Sequence, residues 1–135
     1  MQDDLDISLL RILVVDDEEF VLNLTGRILE SLGCENFDTA HNGKQAIEKL
    51  SAEGEPFDIV ICDLKMPDMD GFEFMRQVAE WDVTGGLIIL SGEGKKVLKN
   101  AKKLAKNKKL NILGVIPKPL DVDTLKTLLK NFNTV

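Results

Sequence analysis

Four short, continuously apolar runs punctuate the chain: Ile12 to Val15, Ile59 to Cys62, Leu87 to Leu90 and Ile112 to Ile116. Each reads as a strand buried on both faces, and a weaker run lies near Phe37 to Ala40. Between them, apolar positions recur at helical spacing. Phe20, Leu24, Ile28 and Leu32 form one stripe, closed by Gly33 as a C-cap. Ala46, Ile47 and Leu50 make a second, and Phe72, Met75, Val78 and Ala79 a third. Val97, Leu98, Ala101, Leu104 and Ala105 make a fourth; Leu125, Leu128 and Leu129 make a fifth, with Asp121 or Asp123 at its start. This alternation predicts an α/β, (βα)5 domain, a doubly wound five-stranded parallel sheet with helices on both faces. Residues 1–10 read as an N-terminal extension and residues 11–135 as the domain.

In open parallel sheets the reactive groups gather outside the carboxyl ends of the strands. Here those ends carry Asp16 and Asp17 (followed by Glu18 and Glu19), Asp63, Ser91 and Lys118. Two carboxylates about 4 Å apart repel by roughly 4 kcal/mol at an effective dielectric of about 20. Three at one edge therefore call for a hard divalent cation such as Mg²⁺. A carboxylate held by a metal and facing a hydroxyl and an ammonium is arranged for phosphoryl transfer. Asp63 is the expected nucleophile, because it lies between the acidic pair and Ser91 with Lys118. The alternative is that these acids only cap helices, Asp17 before the first and Asp70 before the third. Capping leaves Ser91 and Lys118 unexplained.

Composition narrows the partners. The 135 residues are 44% hydrophobic and 30% charged, which describes a folded domain with a core. The net charge of −6 argues against general nucleic-acid binding. It is unevenly spread: residues 95 to 109 hold eight lysines and no acid, leaving −14 on the remainder. That run reads as a solvated helix face, with a partner surface as the functional alternative. Cys34 and Cys62 lack metal-ligand spacing, and Cys62 sits in an apolar run as a buried free thiol. With no apolar run of spanning length and no basic signal region, the expected setting is cytoplasmic, without membrane contact.

Four segments together resemble the response regulator receiver domains, with their CheY/flavodoxin-like fold. They are ILVVDDE from Ile12, IVICDLKMPDMDGFEF from Ile59, IILSG from Ile88 and PKPL from Pro117, in family order over roughly residues 11 to 133. The resemblance implies a phosphoacceptor domain of a two-component system. Its partners would be a sensor histidine kinase or phosphotransfer protein. It would not be an enzyme beyond its own phosphorylation and dephosphorylation. Asp17 and Asp63 would bind Mg²⁺ directly together with the backbone carbonyl of Lys65, and Asp16 through water. Asp63 would receive the phosphoryl group, Ser91 and Lys118 would contact its oxygens, and Pro119 would follow a cis peptide.

Three departures from the family pattern concern the readout. Val115 stands where the family often carries a switching aromatic ring. Lys65 and Glu93 flank the path of the hydrolytic water, and their opposite charges are expected to pair and slow dephosphorylation; an unchanged or longer phosphoryl lifetime in Lys65→Ala would contradict this. The long stretch between Ser91 and Lys118 looks like receivers that precede EAL-type cyclic-di-GMP phosphodiesterase domains, so an EAL-type output domain is one expected partner. A homodimer through the fourth helix, fifth strand and fifth helix is another.

Rival readings are weaker. A haloacid-dehalogenase-type phosphohydrolase needs a second acid two residues after its nucleophile, and here that residue is Lys65. A contact-only pseudo-receiver would not need Asp16, Asp17, Asp63, Ser91 and Lys118 all intact. His41, the sole histidine, reads as a loop residue. The stretch from Asp68 to Gly71 fails as a calcium loop, since Met66 and Gln77 fall at its first and twelfth positions.

Overall fold

The structure, a computed structural model, describes residues 6–52, 56–63, 85–92, 99, 103, 112–118 and 120–132. A 3-10 turn, Ile7–Leu9, precedes β1 (Ile12–Val15), α1 (Glu19–Ser31), β2 (Phe37–Ala40), α2 (Gly43–Ser51) and β3 (Ile59–Asp63). Then come β4 (Gly86–Ser91), β5 (Ile112–Pro117) and a last helix, here α3 (Val122–Asn131). The strands form one parallel sheet in the order β2-β1-β3-β4-β5. All five predicted strands are present, three of them a residue or two longer than the apolar runs. The third and fourth helical stripes lie outside the described residues. Of the lysine run, Lys99 and Lys103 are helical and exposed.

The apolar runs serve both faces of the sheet, because successive side chains point to opposite sides. Ile12, Val14, Ile59, Ile61, Ile88 and Leu90 pack on one face with residues of α1 and α3. Leu13, Val15, Val60, Cys62, Leu87 and Ile89 pack on the other with Ala46 of α2. The N-terminal segment contributes Ile7 and Leu10 to the first of these clusters, and Cys34 Sγ lies 3.3 Å from the Ile7 carbonyl.

Two local signals place α1 and α3. Gly33 follows α1 with φ of 87°, the left-handed conformation that ends a helix at little cost only for glycine. Asp121 caps α3 by accepting from the Thr124 N–H at 3.0 Å. The expected stripe of α1 needs correction. Phe20 is 73% exposed, while Leu22, Thr25, Gly26, Ile28 and Leu29 form the buried face. The sheet-facing side is rotated away from Phe20 toward positions that include a threonine and a glycine.

Candidate functional site

The parallel register brings the strand ends together. Val15 pairs with Cys62, so Asp16, the residue just past β1, and Asp63, the last of β3, stand side by side at one edge. Asp63 pairs with Leu90 and Ser91 with Pro117. The Lys118 N–H donates to the Ser91 carbonyl at 2.9 Å, tying the last two site residues by a backbone hydrogen bond. Asp16, Asp63 and Ser91 are buried, whereas Asp17 and Glu18 are exposed.

The Lys118 ammonium stands among three carboxylates: 3.2 Å from Asp63 Oδ2, 3.3 Å from Asp16 Oδ2 and 3.5 Å from Glu18 Oε1. Asp16 uses Oδ1 to accept from the Glu18 N–H at 2.9 Å. Its Oδ2 is fully buried and has no aligned hydrogen bond, so the approach of Lys118 to it is an ion pair only. Burial pushes the Asp16 carboxyl up to about 6; the Glu18 N–H opposes this, Asp63 adds to it and Lys118 opposes it. Burial alone would lower the Lys118 ammonium, but Asp16 and then Asp63 outweigh it and raise its pKa. The two directions agree physically. One ammonium gains from several carboxylates, while each carboxylate has only a share of one ammonium.

This edge fits a divalent cation. Asp16, Asp17 and Glu18 each offer a ligand oxygen, all within 4.8 Å of one another. Asp16 Oδ2, buried and met only by the Lys118 ion pair, is an acceptor of the kind a cation or its water would satisfy. Of the residues expected from the sequence, Asp16, Asp63, Ser91 and Lys118 meet at this edge, with Asp17 at its rim. Lys65, Glu93 and Pro119 lie outside the described residues. Val115 is half-buried beside Ile89 and packs on the α2 face. Asp17 does not cap α1; the capping position is Glu18.

Sequence reasoning missed Glu18, although the acidic run continuing past Asp17 was the available signal. It also missed the pairing of His41 Nε2 with Glu19 Oε2 at 2.6 Å, which joins the loop before α2 to α1. The thiol of Cys62, hydrogen-bonded to the Asp63 carbonyl at 3.1 Å, is pushed well up by burial and is inert as a nucleophile. Beside the site opens a groove of about 320 Å³, lined by Phe20, Val21, Leu24, Leu90 and Leu120, with Glu18 and Lys118 at its rim. Among the described residues, no helix is long and apolar enough to cross a membrane.

Comparison with known proteins agrees with this geometry. Residues 12–130 match the family profile of the response regulator receiver domain. The chemotaxis protein CheY of Treponema pallidum is 40% identical over 114 residues, covering 82% of this chain and 74% of that protein. A protein-glutamate methylesterase/protein-glutamine glutaminase of Treponema denticola is 37% identical over 92 residues; the match spans 65% of this chain but only 24% of that longer protein. Among solved structures, the response regulator TrrA of Thermotoga maritima, in complex with Mg²⁺–BeF, superposes with a TM-score of 0.74 at 29% identity. It covers 90% of this chain and 97% of its own. With its five-stranded parallel sheet and the acidic edge where Asp16, Asp63 and Lys118 meet, the chain belongs to the response regulator receiver domains of two-component signalling.

Proposed function

We propose that Asp63 is the residue of this receiver domain that accepts the phosphoryl group, from a histidine kinase or phosphotransfer protein, in a Mg²⁺-dependent reaction. The observation that carries the reading is the convergence of Asp63, Asp16 and Lys118 within 3.3 Å contacts at one strand edge, with Ser91 tied to Lys118. Asp63 attacks the phosphorus of the donor in line, and the donor's nitrogen or oxygen leaves. Ser91 and Lys118 hold the phosphoryl oxygens. Asp16 and Asp17, with Asp63 and the Lys65 carbonyl, would hold Mg²⁺. The ion would neutralise charge building on the transferred group. The apolar groove at the rim gives the donor protein a foothold next to the reacting carboxylate.

The phosphorylated form shifts a surface that a partner reads. With Val115 at the usual ring position, transmission runs through the Ser91 loop and not through a swinging aromatic side chain. The output is an EAL-type domain or a second copy of the chain, and the setting is cytoplasmic. Pairing of Lys65 with Glu93 would lengthen the signal. The decisive experiment incubates the protein with Mg²⁺ and acetyl phosphate, then looks by mass spectrometry for one hydroxylamine-labile phosphate. One adduct on the wild type and none on Asp63→Asn is expected. No adduct on the wild type, or one persisting in the variant, would defeat the assignment.

A further inference from the structure

Glu18 has no role in the family resemblance, yet its side chain is placed as though it had one. It opens α1 at the N-cap position without making a side-chain capping bond. The helix start is held instead by Asp16 Oδ1, which accepts from the Glu18 N–H. The Glu18 carboxylate, 61% exposed, turns across the cleft to lie 3.5 Å from Lys118 Nζ. It also stays within 4.8 Å of ligand oxygens offered by Asp16 and Asp17.

Lys118 is meanwhile drawn inward to Asp16 and Asp63, where its ammonium supplies the positive charge that a divalent ion would otherwise bring. An incoming cation must therefore compete with that ammonium for the same carboxylates. The outcome depends on where the displaced ammonium can go. Moving to bare solvent surrenders its ion pairs, whereas moving outward onto a carboxylate at the rim retains one.

We propose that Glu18 is a positioning residue for cation entry. When a divalent ion takes the buried carboxylates, Lys118 shifts outward onto Glu18, and Glu18 thereby sets the site's cation affinity. The inference rests on the reading of this edge as the Mg²⁺ site. Glu18 carries out its role through Lys118, so its effect requires that lysine.

The test is a titration of the intact chain with MgCl₂, followed by isothermal calorimetry, in four proteins: wild type, Glu18→Gln, Lys118→Ala and the double variant. Glu18→Gln is expected to weaken Mg²⁺ binding about fivefold against the wild type, the scale of one partly exposed ion pair. In the Lys118→Ala background the same change should alter binding by less than about twofold, because no ammonium needs to be received. Lys118→Ala alone should bind Mg²⁺ more tightly than the wild type. Melting in chelator should show Glu18→Gln folded, as expected for an exposed side chain without a cap bond. If the wild type binds Mg²⁺ and Glu18→Gln binds equally well, the role of Glu18 is overturned while the site stands. An equal weakening with and without Lys118 also overturns it, since Glu18 would then act on the ion directly. If the wild type takes up no Mg²⁺, the reading of the site falls and the inference with it.

Discussion

The two edges of this sheet handle charge in opposite ways. At the amino edge, Asp58 accepts from the Arg11 N–H at 2.8 Å through Oδ2 and from the Gly86 N–H at 2.8 Å through its carbonyl. Its own N–H donates to the Arg11 carbonyl at 2.7 Å. The Arg11 guanidinium stacks 4.3 Å from the centre of the Phe57 ring. At the carboxyl edge, Asp16 and Asp63 are buried, Glu18 leans over them, and all three share the Lys118 ammonium. The amino edge is a closed hydrogen-bonded corner. The carboxyl edge leaves a buried oxygen of Asp16 without a hydrogen bond, which the fold carries as a standing electrostatic cost. A fold stabilises the first kind of charge and tolerates the second where chemistry requires it.

Exchanging an aspartate at each edge should separate the two roles most sharply. Asp63→Asn is expected to abolish the acetyl phosphate adduct, whereas Asp58→Asn should retain it and lose about 1–2 kcal/mol in urea unfolding. Loss of the adduct in Asp58→Asn with stability intact would break the comparison. Gly85 sharpens the amino edge. A Cβ there would lie 1.9 Å from the Asp58 carbonyl oxygen, a backbone atom that cannot swing aside. Gly85→Ala should cost about 3 kcal/mol in denaturant unfolding and leave phosphorylation of the folded fraction intact.

Asp16→Asn should do the reverse, because it removes a buried charge. In chelator at about pH 8 it is expected to stabilise the protein by about 1 kcal/mol while weakening Mg²⁺ binding. The pH dependence follows from the same group. Its folded pKa, about 6, lies above the ordinary 3.8, so the folded state holds the proton more tightly between those values. Stability in chelator should therefore fall as pH rises through that window, and Asp16→Asn should flatten the slope. A wild-type curve that rises there because of Asp16 would contradict the burial argument.

The smallest effect belongs to His41. The hydrogen bond that His41 donates to Glu19, followed by that to Gln45, raises the imidazole above its ordinary 6.5. Its contribution is complete below 6.5 and disappears as pH climbs through the folded value. Glu19→Gln should slightly lower the urea midpoint at about pH 5.5 and leave it unchanged at about pH 8.5. The pair is exposed, so the shift should be small.

β1, β3 and β4 were legible because they are buried on both faces and therefore continuously apolar. By contrast, β5 is apolar but mostly half-buried, not buried on both faces as its run suggested, and β2 is partly exposed. The edge residues were legible for the same reason, since polar side chains appear where the apolar run stops. The orientation of α1 was not. Phe20 fits a helical stripe, but the face against the sheet is built partly from Thr25 and Gly26, which carry no hydropathy signal. Nor could spacing reveal that Glu18 and Lys118 face one another, because that contact exists only once β1, β3, β4 and β5 are in register. Which of two adjacent acids is buried is a similar case. Asp16 lies inside and Asp17 outside, a consequence of where the chain leaves β1.

The 3-10 turn at Ile7 has a practical consequence for anyone trimming this protein. The family match begins at residue 12, but Ile7 and Leu10 belong to the interior. Cutting at the family boundary would remove both and strip the cover from the Cys34 sulfur. A truncated version should be less stable and newly reactive toward maleimides. The segment that looks like packaging on the sequence is the seal over one of the two buried thiols, that of Cys34.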